Sequence, residues 1–253
     1  MIDEKVKIEE NIKINENFFL LRFTSEYISQ KAKPGNFLML RISKGNDPFL
    51  RRPFSIFYTD GKNVSIYYKV VGRGTKILSQ MHSGEEIDVL GPLGNSFPEI
   101  EDKKVLLIAG GIGIVPIYFF ISKFSSLNEI YLSYGASNSR ELNFVSEIEG
   151  SGIKELFLYT DDGSEGKKGF VTSDIKKIIE EKEIKYTFSC GPTPMIKTLF
   201  KEVGNTETFN FVSLESRMGC GFGACNTCVV KTKKGYRKVC VDGPVFRMED
   251  IEW

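Results

Sequence analysis

Four cysteines in the last fifth of the chain, Cys220, Cys225, Cys228 and Cys240, follow the spacing C-x4-C-x2-C-x11-C. That is the ligand run with which plant-type domains hold a [2Fe–2S] cluster, two thiolates to each iron. Three ligands so close in sequence need a tightly wrapped loop. Gly219, Gly221, Gly223 and Ala224 leave its backbone free to turn N–H groups toward sulfur. Val229-Val230, Lys-Lys-Gly at 233–235 and Lys238-Val239 predict a β-hairpin that brings Cys240 back to the site. Zinc sites often use two C-x2-C pairs, and only one is present, which sets the cluster above a zinc-stabilised binding module. Residues 213–253 hold little apolar mass, so a cluster would supply folding energy that this segment lacks. The basic run Lys231, Lys233, Lys234, Arg237 and Lys238 reads as a solvated hairpin tip, with partner docking as its other use.

A chain of 253 residues has room for two modest domains or one domain plus appendages. Its formal net charge of +1 offers no basic field for nucleic acid. The start, Met-Ile-Asp-Glu-Lys-Val-Lys, has no apolar export core. Clustered thiols without an export signal point to metal binding in a reducing cytoplasm. Val105–Ile121 carries no charge, but tandem glycines, Gly113 and Pro116 predict strand, turn and helix there, not a membrane span.

Residues 1–98 read as β. Apolar residues alternate in Val6/Ile8, Ile12/Ile14, Phe19/Leu21/Phe23, Phe37/Met39 and Ile66/Tyr68/Val70, and turn signals separate the runs. Many short strands predict a closed or nearly closed antiparallel barrel. Residues 99–212 alternate apolar runs (105–109, 130–134, 156–159, 186–190) with helical patterns (114–124, 141–148, 173–181, 192–203). This predicts a parallel sheet covered on both faces. Thr172 or Ser173 is the expected cap of the third helix, with Asp174 in its first turn.

Three further motifs carry chemistry. In Arg51-Arg52-Pro53-Phe54-Ser55 an arginine can pair with a pyrophosphate and a serine can reach a flavin edge; alone, the motif also fits a strand-edge turn. Downstream, Tyr67-Tyr68-Lys69 offers aromatic faces, one of them expected in the core, and Gly74-Thr75 opens a helix suited to phosphate. Gly110-Gly111-Ile112-Gly113 follows an apolar strand and opens a helix, where a nucleotide can approach closely. Cys190-Gly191-Pro192-Thr193-Pro194-Met195 lies at the carboxyl edge of the same sheet; Cys190 equally fits a buried small residue. The lone histidine, His82, sits in a turn with no partner motif and reads as surface. No nucleophile–base pair is apparent, so cofactors are expected to carry the chemistry.

These stations, in this order, resemble the ferredoxin–NADP reductase superfamily. Ser213–Cys225, Val239–Phe246, Thr160–Ser164 and Lys168–Thr172 resemble the electron-transfer subunits of NAD-dependent dihydroorotate dehydrogenases, and the similarity spans essentially the whole chain. The resemblance implies an FAD-binding barrel, an NAD-binding α/β domain and a cluster domain. It implies FAD at Arg52, Pro53, Phe54, Ser55, Tyr67, Tyr68, Lys69, Gly74 and Thr75. NAD is implied at Gly110, Gly111, Gly113, Cys190, Gly191, Pro192 and Met195, and the cluster at the four tail cysteines. Ser139 and Arg140 would equally suit the extra phosphate of NADP; NAD is implied by the family alone. Further expectations are an FMN-containing catalytic subunit as partner, two copies of each, and dihydroorotate electrons passing through cluster and FAD to NAD⁺ in pyrimidine biosynthesis. The alternative is an NAD(P)H-linked flavin/iron–sulfur reductase serving an oxygenase, hydrogenase or sulfur-metabolising partner.

Overall fold

The computed structural model describes residues 1–43, 45, 47–204 and 206–253. The N-terminal part builds β1 (Ile2–Lys13), β2 (Phe18–Thr24), α1 (Glu26–Lys31), β3 (Phe37–Arg41), β4 (Arg52–Ser55), β5 (Tyr58–Thr59), β6 (Asn63–Lys69), α2 (Arg73–Leu78) and β7 (Glu86–Leu93). Its strands form one antiparallel sheet in the order β4-β3-β7-β1-β2-β6-β5. The sheet curls as an antiparallel half-barrel around Val6, Ile8, Leu21, Phe23, Leu38, Leu40 and Ile66, with β4 and β5 as its edges where a closed or nearly closed barrel was expected.

The alternation stops short of its expected end. The pairing of β1 with β2 shifts register between Ile8 and Glu10. Such a bulge reverses which side chains face inward. Ile12 and Ile14 are therefore exposed, and Asn11 turns in instead. The Asn11 amide donates to the carbonyls of Leu78 and Met81 and its oxygen accepts from the Tyr68 hydroxyl, so the inward polar group is paired.

The second part comprises β8 (Lys104–Gly110), α3 (Ile114–Phe124), β9 (Glu129–Ala136), α4 (Val145–Glu149), β10 (Glu155–Thr160), β11 (Lys167–Lys168), α5 (Ile175–Lys182), β12 (Tyr186–Cys190), α6 (Thr193–Val203) and β13 (Phe209–Ser213). The uncharged run Val105–Ile121 is β8, a tight turn and α3, and no helix among the described residues is long and apolar enough to cross a membrane. Two helices differ from expectation. Phe144 adopts a left-handed conformation, so α4 begins only at Val145. Neither Thr172 nor Ser173 caps α5: Asp174 occupies that position, and its carboxylate is taken by Lys167 and the Tyr159 hydroxyl.

The tail adds β14 (Val229–Thr232), β15 (Gly235–Lys238) and β16 (Val245–Arg247). β14 and β15 form the expected hairpin. Its lysines are partly spent internally: Lys231 pairs with Glu252, and the Lys238 ammonium donates to the Gly223 carbonyl. β16 joins the large sheet beside β13, giving β11-β10-β9-β8-β12-β13-β16, parallel except at that last edge. The tail also covers the outside of the barrel. β3 is buried on both faces: Leu38 and Leu40 fill the barrel, while Phe37 and Met39 pack in a cluster with Cys228, Val239 and Cys240. Each such side chain contributes roughly 1.5–3 kcal/mol on leaving water, so the tail is held by the barrel as much as by its own contacts.

Candidate functional site

Two cavities meet where the three parts converge. The first, about 340 Å³, opens between barrel, parallel sheet and tail. Pro53, Phe54 and Ser55 reach it from β4, Tyr67, Tyr68 and Lys69 from β6, and Thr75 from α2. Arg52 and Gly74 lie beside this wall, packed on each other, without lining it. Both tyrosines are buried, where one was expected to be: Tyr68 faces the barrel core, and Tyr67 packs among Phe18, Phe57 and Phe144. Burial, with Tyr134 and Glu141 nearby, pushes the Tyr67 phenol upward. Its hydroxyl is buried with no hydrogen-bond partner among the described residues.

The second cavity, about 480 Å³, lies over the carboxyl ends of β8 and β9. Gly110, Gly111, Pro192 and Met195 line it as expected. Cys190 does not; it lines the first cavity, and burial pushes its thiol well up, so it is a neutral wall residue. Gly113 and Gly191 line neither cavity. A Cβ on Gly113 would collide with the Cys190 carbonyl, so this glycine lets α3 approach β12. Gly191 lies against the Met195 thioether.

The cavities share Lys69, Ile112 and Glu215. Lys69 bridges barrel and parallel sheet through an ion pair with Glu141 at 2.6 Å. Glu215 is open to the cavities and enclosed on its other sides, and that desolvation raises its pKa. Neither Ile112 nor Glu215 was singled out as a site residue: Ile112 lies within the glycine motif and Glu215 within the family-like stretch Ser213–Cys225, but nothing local marks either side chain as cavity wall.

The cysteine loop borders the first cavity, whose lining includes Leu214, Glu215, Ser216, Met218 and Pro244 from the tail. The four thiols meet as two pairs. Cys225 accepts from the Thr227 hydroxyl at 3.1 Å, and these bonds with those from Cys220 bring its thiol down to about 6. Burial and then the neighbouring Cys228 push Cys240 up to about 12. Among the described residues no three such side chains close on one point, as a single tetrahedral ion would require. Two pairs of thiols fit a two-iron cluster with two thiolates per iron. Gly221 has a φ of +82° and rests against Met39, which seats the loop on the outer face of β3. Cys225 is exposed beside Phe222 and Val241, both more than half exposed, so one edge of the loop faces outward.

Comparison with known proteins agrees with this arrangement. Residues 215–252 match the iron–sulfur cluster binding domain of dihydroorotate dehydrogenase B, and residues 107–201 match the oxidoreductase NAD-binding domain. The chain is 38% identical to the dihydroorotate dehydrogenase B (NAD(+)) electron transfer subunit of Fusobacterium nucleatum, covering 98% of both chains. It is 37% identical to the like-named subunit of Caldanaerobacter subterraneus, covering 98% of this chain and 97% of that one. Among solved structures, one of an NADH-dependent reduced ferredoxin–NADP oxidoreductase superposes with a TM-score of 0.88 at 33% identity, over 98% of this chain and 90% of the other. The cytochrome b5 reductase domain of Ulva prolifera nitrate reductase shares the fold, with a TM-score of 0.65 at 20% identity over 83% of this chain and 97% of that one. Fold and cavities thus define an oxidoreductase of the ferredoxin–NADP reductase class with an iron–sulfur tail. Within that class, the chain belongs to the family of dihydroorotate dehydrogenase B electron transfer subunits.

Proposed function

We propose that this chain carries electrons from the FMN catalytic subunit of a dihydroorotate dehydrogenase, by way of a [2Fe–2S] cluster and FAD, to NAD⁺ in pyrimidine biosynthesis. The observation that carries this reading is the line of sites: the cysteine loop borders the first cavity, and the first shares three side chains with the second. In this reading residues 1–98 are the FAD domain, 99–212 the NAD domain and 213–253 the cluster domain. A nicotinamide exchanges electrons in pairs and a cluster singly, so a flavin between them supplies the conversion that neither can make.

The protein's own contribution is placement. Pro53, Phe54, Ser55, Tyr67, Tyr68, Lys69 and Thr75 would hold FAD, with Arg52 and Gly74 beside them. The lining is aromatic at Tyr67 and Tyr68 and polar at Ser55, Lys69 and Thr75, a donor set that suits such a ligand. Gly110, Gly111, Pro192 and Met195 would hold NAD, with Cys190, Gly113 and Gly191 shaping the wall behind. Cys220, Cys225, Cys228 and Cys240 would hold the cluster. The catalytic subunit would dock on the outward edge around Cys225, Phe222 and Val241, two copies of each chain in the cytoplasm.

The likeness at 33% identity to an NADH-dependent reduced ferredoxin–NADP oxidoreductase supports a second reading, a flavin/iron–sulfur reductase with a different electron partner. Co-expression with a candidate catalytic subunit, followed by assay of dihydroorotate-dependent NAD⁺ reduction, separates the two. Co-purification with turnover is expected. A stable partner that neither binds FMN nor oxidises dihydroorotate would favour the second reading.

A further inference from the structure

We propose that Thr227 raises the reduction potential of the cluster, by donating its hydroxyl hydrogen bond to the sulfur of Cys225. The inference rests on the reading of the four cysteines as [2Fe–2S] ligands.

The four sulfurs lie in unlike surroundings. Cys228 and Cys240 are buried, packed with Phe37, Met39 and Val239. Cys225 is exposed at the outward edge of the loop, and Cys220, only partly buried, lies beside it. Packing therefore sets the environment of one pair of sulfurs. At the other pair, hydrogen-bond donors can do so.

The local backbone aims such a donor. Asn226 takes a left-handed conformation with φ +56°, which asparagine tolerates better than most residues. The chain doubles back there, so the residue after Asn226 faces the sulfur of the residue before it. The Thr227 hydroxyl donates to the Cys225 sulfur at 3.1 Å, its one hydrogen bond among the described residues. The backbone N–H groups of Thr227 and Cys220 point at the same sulfur. Gly219 leaves the pair its room: a Cβ there would come within 3.1 Å of the Cys225 sulfur and 3.4 Å of the Thr227 hydroxyl oxygen. Among the described residues no other hydroxyl donates to any of the four sulfurs.

The direction of the effect follows from charge. A reduced cluster carries one more negative charge than an oxidised one, and its ligand sulfurs share that charge. A donor fixed on one of them stabilises the reduced form more, so it raises the potential. Thr227 keeps its proton throughout; one electron enters and no bond breaks. Water could donate to an exposed sulfur as well, but a hydroxyl held by the chain stays when a docked partner excludes water. The bond lies on the outward edge, so it favours uptake of an electron that arrives there from the partner's reduced flavin.

The test is a potentiometric titration of the full chain with FAD and cluster in place. The cluster is followed by electron paramagnetic resonance of its reduced form and FAD by absorbance. Thr227→Val puts a methyl where the hydroxyl was and keeps water out of its place. It should weaken reduction of the cluster about tenfold, a fall of about 59 mV for one electron, and leave the FAD potential unchanged. Thr227→Ser keeps the hydroxyl and should stay within about twofold of wild type. Thr227→Ala admits water and should fall between these two, by about threefold; it decides alone if Thr227→Val assembles no cluster. An unshifted potential in Thr227→Val and Thr227→Ala would overturn the inference. So would a Thr227→Ser potential as low as that of Thr227→Val, since side-chain packing and not the hydroxyl would then set it. A wild-type chain that assembled no [2Fe–2S] cluster would overturn the reading of the cysteines and this inference with it.

Discussion

Two glycine-rich turns flank the first cavity and use their glycines in opposite ways. The turn at Gly110–Gly113 is a joint within one part of the molecule: Gly113 lets backbone meet backbone, α3 against the end of β12. The loop at Gly219–Gly223 is a joint between parts: Gly221 takes a left-handed turn and lays the cysteine loop on Met39 of the barrel. The first turn is rigid because what it meets is a carbonyl of the sheet. The second meets the middle of a flexible thioether side chain. Glycine spacing alone does not distinguish a cofactor cradle from a packing joint; the neighbour does.

The most severe test of this contrast is Cys225→Ser. Losing one thiolate of four should abolish the visible absorbance of the cluster and electron flow to the catalytic subunit. NADH-driven dye reduction at the flavin should persist; its loss with FAD still bound would place the cluster elsewhere in the sequence of sites. Next comes Gly113→Ala. A methyl driven into the Cys190 carbonyl should cost about 3 kcal/mol or prevent folding, read from denaturant unfolding. Gly221→Ala should cost less, about 1–2 kcal/mol, because Met39 can move while the left-handed backbone is only mildly strained. Amide exchange should then rise in residues 213–253 and not around α3. Equal effects of the two glycine variants would erase the distinction drawn between the turns.

The smallest expected effect lies away from both turns and calibrates them. Lys167, and then the Tyr159 hydroxyl, hold Asp174 below its usual range. A carboxylate lowered on folding contributes stability above its unfolded value, and that contribution is lost as the pH falls through the folded value. Asp174→Asn should therefore cost under about 1 kcal/mol at neutral pH. The gap to wild type should close on acidification below the ordinary aspartate range of about 4. A gap that stayed constant down to low pH would assign Asp174 a purely steric role.

Much of this fold was legible because hydrophobic period and turn chemistry are local. β8 with α3, and β12 with α6, fall within a residue or two of expectation, since an apolar strand ending in glycine or proline has few alternatives. The misses share a cause. Ile12 and Ile14 read as inward until a bulge set by pairing with β2 turned Asn11 in. Thr172 and Ser173 do not cap α5 because the helix begins only at Ile175, after Asp174, whose carboxylate is held by Lys167 and the Tyr159 hydroxyl. Glu215 lies in a family-like stretch, but only the convergence of chain segments far apart in sequence gives its side chain a cavity to line.

By itself, the amino-acid sequence determined the C-x4-C-x2-C-x11-C spacing, the strand–helix alternation and the family. Each is written in the spacing of a few residues whose chemistry does not depend on distant neighbours. Tertiary structure alone decided the placement of the sites. It set the cysteine loop on β3, moved Cys190 from the second cavity to the first, made Gly113 a packing residue, and buried Tyr67 among Phe18, Phe57 and Phe144. Those outcomes depend on which surfaces meet when barrel, sheet and tail bury their apolar faces together, and no local pattern encodes the far side of such a contact.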